Sequence, residues 1–156
     1  MRLVVQRVTR AAVRVDGAVI GQIGHGAVVL AGIGRGDDAA VVDRMADRLV
    51  ALRYFEDESG RTNRSILQVG GALLVVSQFT LYADVRRGRR PGFTDAAPPD
   101  VAEPLVERLA GRLHAAGVTV ATGRFGAAME VELVNDGPFT LIVDSDAAGH
   151  NDARVD

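Results

Sequence analysis

Apolar residues along this chain recur with two different periods, and each change of period marks a change of element. Residues 3–9 and 12–15 have the apolar, β-rich pattern of strands. Asp16-Gly17 is a hairpin signal and leads into another strand over 18–23. A third strand over 27–33 closes on Gly34-Arg35-Gly36-Asp37-Asp38. The period then lengthens. Val41, Met45, Leu49 and Leu52 recur at helical spacing, so one apolar face rests on a sheet, with Asp37 or Asp38 as the cap. Asp57-Glu58-Ser59-Gly60 reads as a polar turn, and Gly70-Gly71 punctuates the approach to a buried apolar strand that begins at Leu73.

That strand ends in the polar group Ser77-Gln78-Phe79-Thr80, where a buried strand delivers chemistry to a surface. Residues 83–99 follow with little periodicity, and loops of this length in compact domains are usually functional or mobile. A second helix carries Val101, Leu105, Leu109 and Leu113 on one face and stops at Gly117. Asp100 and Glu103 resemble a capping box, although Pro104 then sits in the first turn. Three β segments complete the pattern: 118–121, the alternating stretch 129–134, and 139–143 after a Gly-Pro turn. The expected fold is a single α/β domain over residues 1–143, with mixed β-sheet and two helices packed on it. Residues 144–156 are expected to form a flexible C-terminal tail.

Composition narrows the chemistry. Among 156 residues there is no cysteine, which removes disulfides, zinc–thiolate sites and thiol nucleophiles and suits a cytoplasmic protein. Lysine is absent too, so Schiff-base and Ser-Lys mechanisms are excluded. No apolar run is long enough to span a membrane as a helix, and the first residues carry no signal-peptide pattern. With a net charge of −2, any contact with nucleic acid has to come from a local patch. Arg86, Arg87, Arg89 and Arg90 supply one, and guanidinium forks suit phosphate oxygens. Their place just after the Ser77–Thr80 group points to a phosphate-bearing substrate, with an RNA backbone as the natural candidate.

Other motifs carry less. The glycines between Gly17 and Gly36 fit no dinucleotide or phosphate-loop spacing and read as hairpin and strand-end residues. His25, His114 and His150 are scattered without ligand spacing, so neither a metal nor a cofactor is expected. Ser77, Thr80 and Thr140 carry hydroxyls, yet a hydroxyl nucleophile needs an adjacent base, and none is near in sequence.

Taken together, the motifs resemble the D-aminoacyl-tRNA deacylases, formerly called D-tyrosyl-tRNA deacylases. The resemblance spans roughly residues 1–143. It rests on Gln6-Arg7-Val8, on Ser77-Gln78-Phe79-Thr80-Leu81, and on Asn135-Asp136-Gly137-Pro138-Phe139-Thr140. Arg87-Gly88-Arg89-Arg90-Pro91-Gly92-Phe93 and the stretch from Thr122 through Gly123-Arg124-Phe125 to Met129 also look alike.

The resemblance implies a three-layer β/β/α fold and a homodimer with active sites at the interface. It implies hydrolysis of the ester joining a D-amino acid to tRNA, assisted by the terminal 2′-hydroxyl. Gly137-Pro138, cis in the family, would face Ser77, Gln78, Phe79 and Thr80 of the other subunit. Thr140 belongs to the same motif, and Arg7 would hold the Gly-Pro segment. Phe125 and Met129 would lie near the terminal adenosine, with Arg86, Arg87, Arg89 and Arg90 on the RNA. Physical chemistry makes sense of this inventory. An enzyme that edits many side chains must read handedness at the α-carbon, and rigid backbone placed against an L side chain does so by exclusion. Glycyl-tRNA has no side chain to exclude and would be cleaved as well. An aminoacyl ester is already activated, so main-chain N–H groups near Phe79 and Thr80 can act as oxyanion donors without a side-chain nucleophile. Two other readings are a non-catalytic RNA-binding module and a small-ester hydrolase with Thr80 as nucleophile. Phe139 departs from the commoner valine of the motif and is expected to alter packing beneath it, on the opposite face from Thr140.

Overall fold

The structure is a computed structural model that describes residues 1–86 and 88–145. Arg87 and the greater part of the expected tail, from residue 146, lie outside the described residues. Strand β1 (Arg2–Val15) turns through Asp16 and Gly17 into β2 (Ala18–Ile23). Both turn residues have positive φ, 50° and 78°, the combination whose twist matches the flanking strands. β3 (Gly26–Gly32) runs antiparallel to the first half of β1. Helix α1 (Ala39–Ala51) then crosses over, and β6 (Ala72–Ser77) lies parallel to β3. Before β6 comes a small hairpin of β4 (Arg53–Glu56) and β5 (Thr62–Ser65). A 3-10 helix (Phe79–Tyr82) and helix α2 (Pro99–Ala115) lead to β7 (Thr119–Thr122), parallel to β6. β8 (Glu130–Asp144) returns antiparallel along β1, and the sheet order is β2-β1-β3-β6-β7 with β8 on the other side of β1.

The two crossovers step in the same direction across the sheet, and right-handed connections of that kind put both helices on one face. Alternation on the central strands then divides the core. Ala27, Val29, Leu73 and Val75 point to the helices and meet Val42, Met45, Leu49, Leu109 and Leu113. Val28, Leu74 and Val76 point the other way and meet Val8, Ala11, Val13 and Ile23 from β1 and β2. Helices, central strands, and the β1–β2 hairpin with the start of β8 therefore form successive layers. This is the mixed α/β domain with two helices on one face that the pattern predicts.

Several details differ from the sequence reading. Residues 130–134 and 139–143 belong to one strand, because β1 is long enough to pair with β8 on both sides of residues 136–139. On α2, Val101 is 39% exposed and Ala102 takes the buried position. That helix starts at Pro99, and its cap Pro98 makes no side-chain bond, so Asp100 and Glu103 do not form a capping box. Proline at the first helical position loses no intrahelical bond, since that N–H has no partner in any case. On α1 the cap is Asp38, which accepts from the Val41 N–H at 2.9 Å. Asp37 instead binds the Met1 ammonium and the Gly34 N–H. β4 and β5 gave too short a pattern to be read. At the C-terminal end, Asp144 still belongs to β8 and pairs with Arg2 at 2.6 Å, while the Ser145 N–H donates to the Met1 carbonyl at 2.8 Å.

Candidate active site

The pairing of β6 with β3 ends at Ser77, opposite Ala31. Gln78 makes one more bond, its N–H donating to the Ala31 carbonyl at 2.8 Å, and the backbone then coils into the 3-10 helix. The first bond of that helix runs from the Leu81 N–H to the Gln78 carbonyl at 3.3 Å. The N–H groups of Phe79 and Thr80 precede it, so the helix supplies no acceptor for them. The Gln78 side-chain amide donates to the Thr80 hydroxyl. Among the described residues no carboxylate or imidazole bonds to that hydroxyl, which leaves it without the base a nucleophile requires.

Phe79 is 56% exposed and meets the Phe93 ring edge-on, centroids 5.0 Å apart. Beside them opens a cavity of about 420 Å³, bordered by Ser77, Gln78, Arg35, Phe125 and the 96–99 turn and floored by Ile33, Ala102 and Val106. Its walls are mostly apolar with a few polar groups, the composition of a small-molecule site. A second hollow of about 370 Å³ shares Ser77, Val106 and Phe125 and adds Glu103, Glu107 and Arg124. The two hollows are therefore neighbours, with Phe125 lining both.

The second sequence motif is built differently. Gln6 pairs with Thr140 and Val8 with Asn135, so Arg7 alone faces the four residues 136–139. These four bulge out of β8, carrying an exposed Gly137 and Pro138 joined by a cis peptide. A Cβ added at Gly137 would lie 2.1 Å from the Phe139 nitrogen, so only glycine fits that backbone. Arg7 continues the core-facing alternation of Leu3 and Val5 and is 5% exposed. Its Nε donates to the Asp136 carbonyl at 2.9 Å and its Nη1 to the Tyr54 carbonyl at 3.0 Å, while Nη2 reaches Glu56 at 3.3 Å. A buried guanidinium is tolerable only with such partners.

The D-Tyr-tRNA(Tyr) deacylase family matches residues 4–144. This chain belongs to that family. The D-aminoacyl-tRNA deacylase of Symbiobacterium thermophilum is 61% identical over 146 residues, covering 94% of this chain and 97% of that one. The protein of the same name from a Roseiflexus species is 59% identical over 145 residues, covering 93% and 94%. The solved structure of a c-Myc DNA Unwinding Element Binding Protein is 39% identical with a TM-score of 0.87, covering 92% and 98%. A probable eukaryotic D-amino acid tRNA deacylase, 18% identical with a TM-score of 0.77, shares the fold and covers 91% and 97%. Membership gives the enzyme class, a hydrolase of an acyl bond.

In this deacylase the two motifs do not meet within one chain. Arg7, Gly137, Pro138 and Thr140 do not border the cavity beside Ser77 and Gln78. Thr140 is exposed on the strand, and its hydroxyl accepts from the Gln6 amide at 3.3 Å. Phe125 lines the cavity, and Met129 packs on the second core cluster over Gly123. In the arginine loop, Arg86 is already engaged. Its Nε and Nη2 grip the two oxygens of Asp84 at 2.8 and 2.9 Å. That hydrogen-bonded fork holds the Asp84 carboxyl well below the ordinary carboxylate range and raises the Arg86 guanidinium in turn. Arg89 and Arg90 are exposed, with no ion pair among the described residues.

Sequence reasoning passed over Arg35, Glu56 and the bonding role of Asn135. Arg35 and Glu56 carry no local pattern. Asn135 did carry a signal, since asparagine before a tight excursion commonly bonds backbone a few residues on. Among the described residues no helix is long and apolar enough to cross a membrane.

Proposed function

We propose that this chain is a D-aminoacyl-tRNA deacylase that hydrolyses D-aminoacyl-tRNA and mischarged glycyl-tRNA and spares L-aminoacyl-tRNA. The observation that carries this reading is the division of the site. An open cavity at Ser77–Thr80 has no attacking side chain, and a rigid Gly137-Pro138 bulge projects elsewhere on the same chain. Two copies facing one another would complete both sites. Support for such a homodimer comes from β8, which pairs with β1 on one side and exposes Val131, Val134 and Ile142. A long apolar edge strand is a surface that proteins ordinarily cover.

In this reading the adenosine enters the groove at Phe125, and the ester carbonyl lies at the free N–H groups of Phe79 and Thr80. Water positioned by the tRNA 2′-hydroxyl adds to the carbonyl, and the two N–H groups stabilise the oxyanion. Collapse returns the sugar oxygen to tRNA as a hydroxyl and releases the amino acid. DNA lacks the 2′-hydroxyl, so RNA is the partner, and the cytoplasm, where translation runs, is the compartment. Ser77 and Gln78 position the substrate, and Arg89 and Arg90 meet its backbone. Gly137 and Pro138 of the second subunit obstruct the direction an L side chain takes, a clash that discriminates more strongly than the roughly 10–200-fold available per methylene in an apolar pocket. The test is release of amino acid from D-tyrosyl-, L-tyrosyl- and glycyl-tRNA, each with and without the terminal 2′-hydroxyl. Cleavage of the D and glycyl esters alone, lost with the hydroxyl, is expected; equal release from D and L, or release from neither, overturns the reading.

A further inference from the structure

Asn135 stands at the base of the Gly137-Pro138 bulge, where the β1–β8 ladder is interrupted. Its carboxamide repairs the gap. Asn135 Oδ1 accepts from the Phe139 N–H at 3.0 Å, and Nδ2 donates to the Phe139 carbonyl at 2.9 Å. The second Nδ2 proton goes to the Arg7 carbonyl at 2.9 Å. One side-chain amide thus takes the place of the backbone amide the ladder has lost. It pairs with both polar groups of Phe139 and ties them to β1.

The residue type follows from this geometry. Three bonds use both amide protons and one lone pair of an asparagine. Aspartate has the same shape but no donor, and would set a carboxylate against the Arg7 and Phe139 carbonyls. Glutamine keeps the donors and displaces them by a methylene. Arg7 holds the bulge from the core side through Asp136, while Asn135 closes its two ends, so the span from 136 to 139 is bounded at both limits.

We propose that the Asn135 carboxamide sets the position of Gly137-Pro138 and is a positioning residue for the handedness check. The functional half rests on the deacylase reading above. Asn135→Asp and Asn135→Gln are compared with the unmodified protein in two measurements: amide hydrogen exchange, and turnover of D-tyrosyl- and L-tyrosyl-tRNA. In Asn135→Asp the carboxylate is repelled by the Arg7 and Phe139 carbonyls that Nδ2 now serves and leaves the gap. The Phe139 amide loses its acceptor and exchanges about tenfold faster or more, the scale of one lost part-buried hydrogen bond, while the amides of Leu3 and Val5 keep their protection. The D-to-L turnover ratio falls by about the same factor, and Asn135→Gln lies between. A purely structural role would scale D and L turnover together and leave the ratio alone.

Gly137→Val attacks the same bulge directly and reads the parent hypothesis. If it shifts the ratio and Asn135→Asp does not, the positioning role is overturned. If it leaves the ratio unmoved, the handedness reading falls, and the exchange measurement alone decides for Asn135. Unchanged Phe139 exchange, or loss of protection throughout β1, overturns the proposal in either case. Should Asn135→Asp fail to fold, Asn135→Gln carries the same comparison.

Discussion

The guanidinium carbon of Arg7 lies 4.6 Å from the centre of the Phe139 ring. These residues are remote in sequence, and their contact joins the middle of β1 to the bulge in β8. The ring also packs against the helix-side core, while Thr140 faces solvent, as expected of neighbours on a strand. Substituting Phe139→Val removes the ring face from a desolvated cation. It is expected to cost about 0.5–2 kcal/mol in urea unfolding, and D-specific turnover should persist. Unaltered stability would show that the ring contributes nothing to holding Arg7.

Thr80 has a hydroxyl engaged by Gln78 and no base beside it. Thr80→Ala should therefore leave turnover of D-tyrosyl-tRNA largely intact, whereas tRNA ending in a 2′-deoxy sugar should be nearly inert. Single-turnover rates on both substrates distinguish the cases. Abolition by Thr80→Ala with tolerance of the deoxy end would favour a threonine nucleophile.

Arg86 is tied to Asp84, so it contributes less to RNA contact than its neighbours do. The salt dependence of tRNA binding should keep its slope in Arg86→Ala and lose about 0.7–0.9 in Arg89→Ala or Arg90→Ala if each meets one phosphate. The pH dependence of the tie follows from its sign. Asp84 has a depressed folded-state pKa, so the pair is intact above the ordinary carboxylate value and dissolves only as pH falls below it. Carboxyl carbon shifts of Asp84 should show little titration between about pH 3 and 5, where an ordinary aspartate takes up its proton.

Tyr54 is buried, and its hydroxyl has no partner among the described residues. Burial pushes the phenol above its usual range. An unsatisfied buried hydroxyl costs about 1–3 kcal/mol, so Tyr54→Phe should stabilise the fold by up to that amount without disturbing the Tyr54 carbonyl that accepts from Arg7. A lower melting temperature would mean that the hydroxyl is bonded in solution.

Ile142 is 71% exposed on β8. If this edge is the subunit interface, Ile142→Asp yields a monomer by sedimentation and loses turnover, because neither copy then completes a cavity. A fully active monomer would refute the shared site.

The legible and illegible parts of this chain divide by range. The Asp16-Gly17 hairpin, the Asp38 cap and the apolar face of α2 depend on residues within a few positions, and their chemistry is written locally. Val101 misled because a helical stripe one residue out of phase still looks amphipathic, and only the packed sheet selects Ala102. The β4–β5 hairpin escaped because four-residue strands leave almost no period to detect. Both motifs of the candidate site were readable as motifs, yet the cavity beside the first of them was not, because Arg35, Phe93 and Phe125 reach it only through the fold.

By itself the sequence determined the class of domain, the lack of thiol and lysine chemistry, and the two segments that carry the family's signature. These follow from residue inventory and short-range spacing. Only the tertiary structure decided that Asn135 spans the gap in a ladder, that Arg7 is held by Tyr54 and Asp136, and that Arg86 is spent on Asp84 while Arg89 is not. Each of these depends on where a donor finds its acceptor after the chain has closed on itself, and a side chain's period does not record its partner.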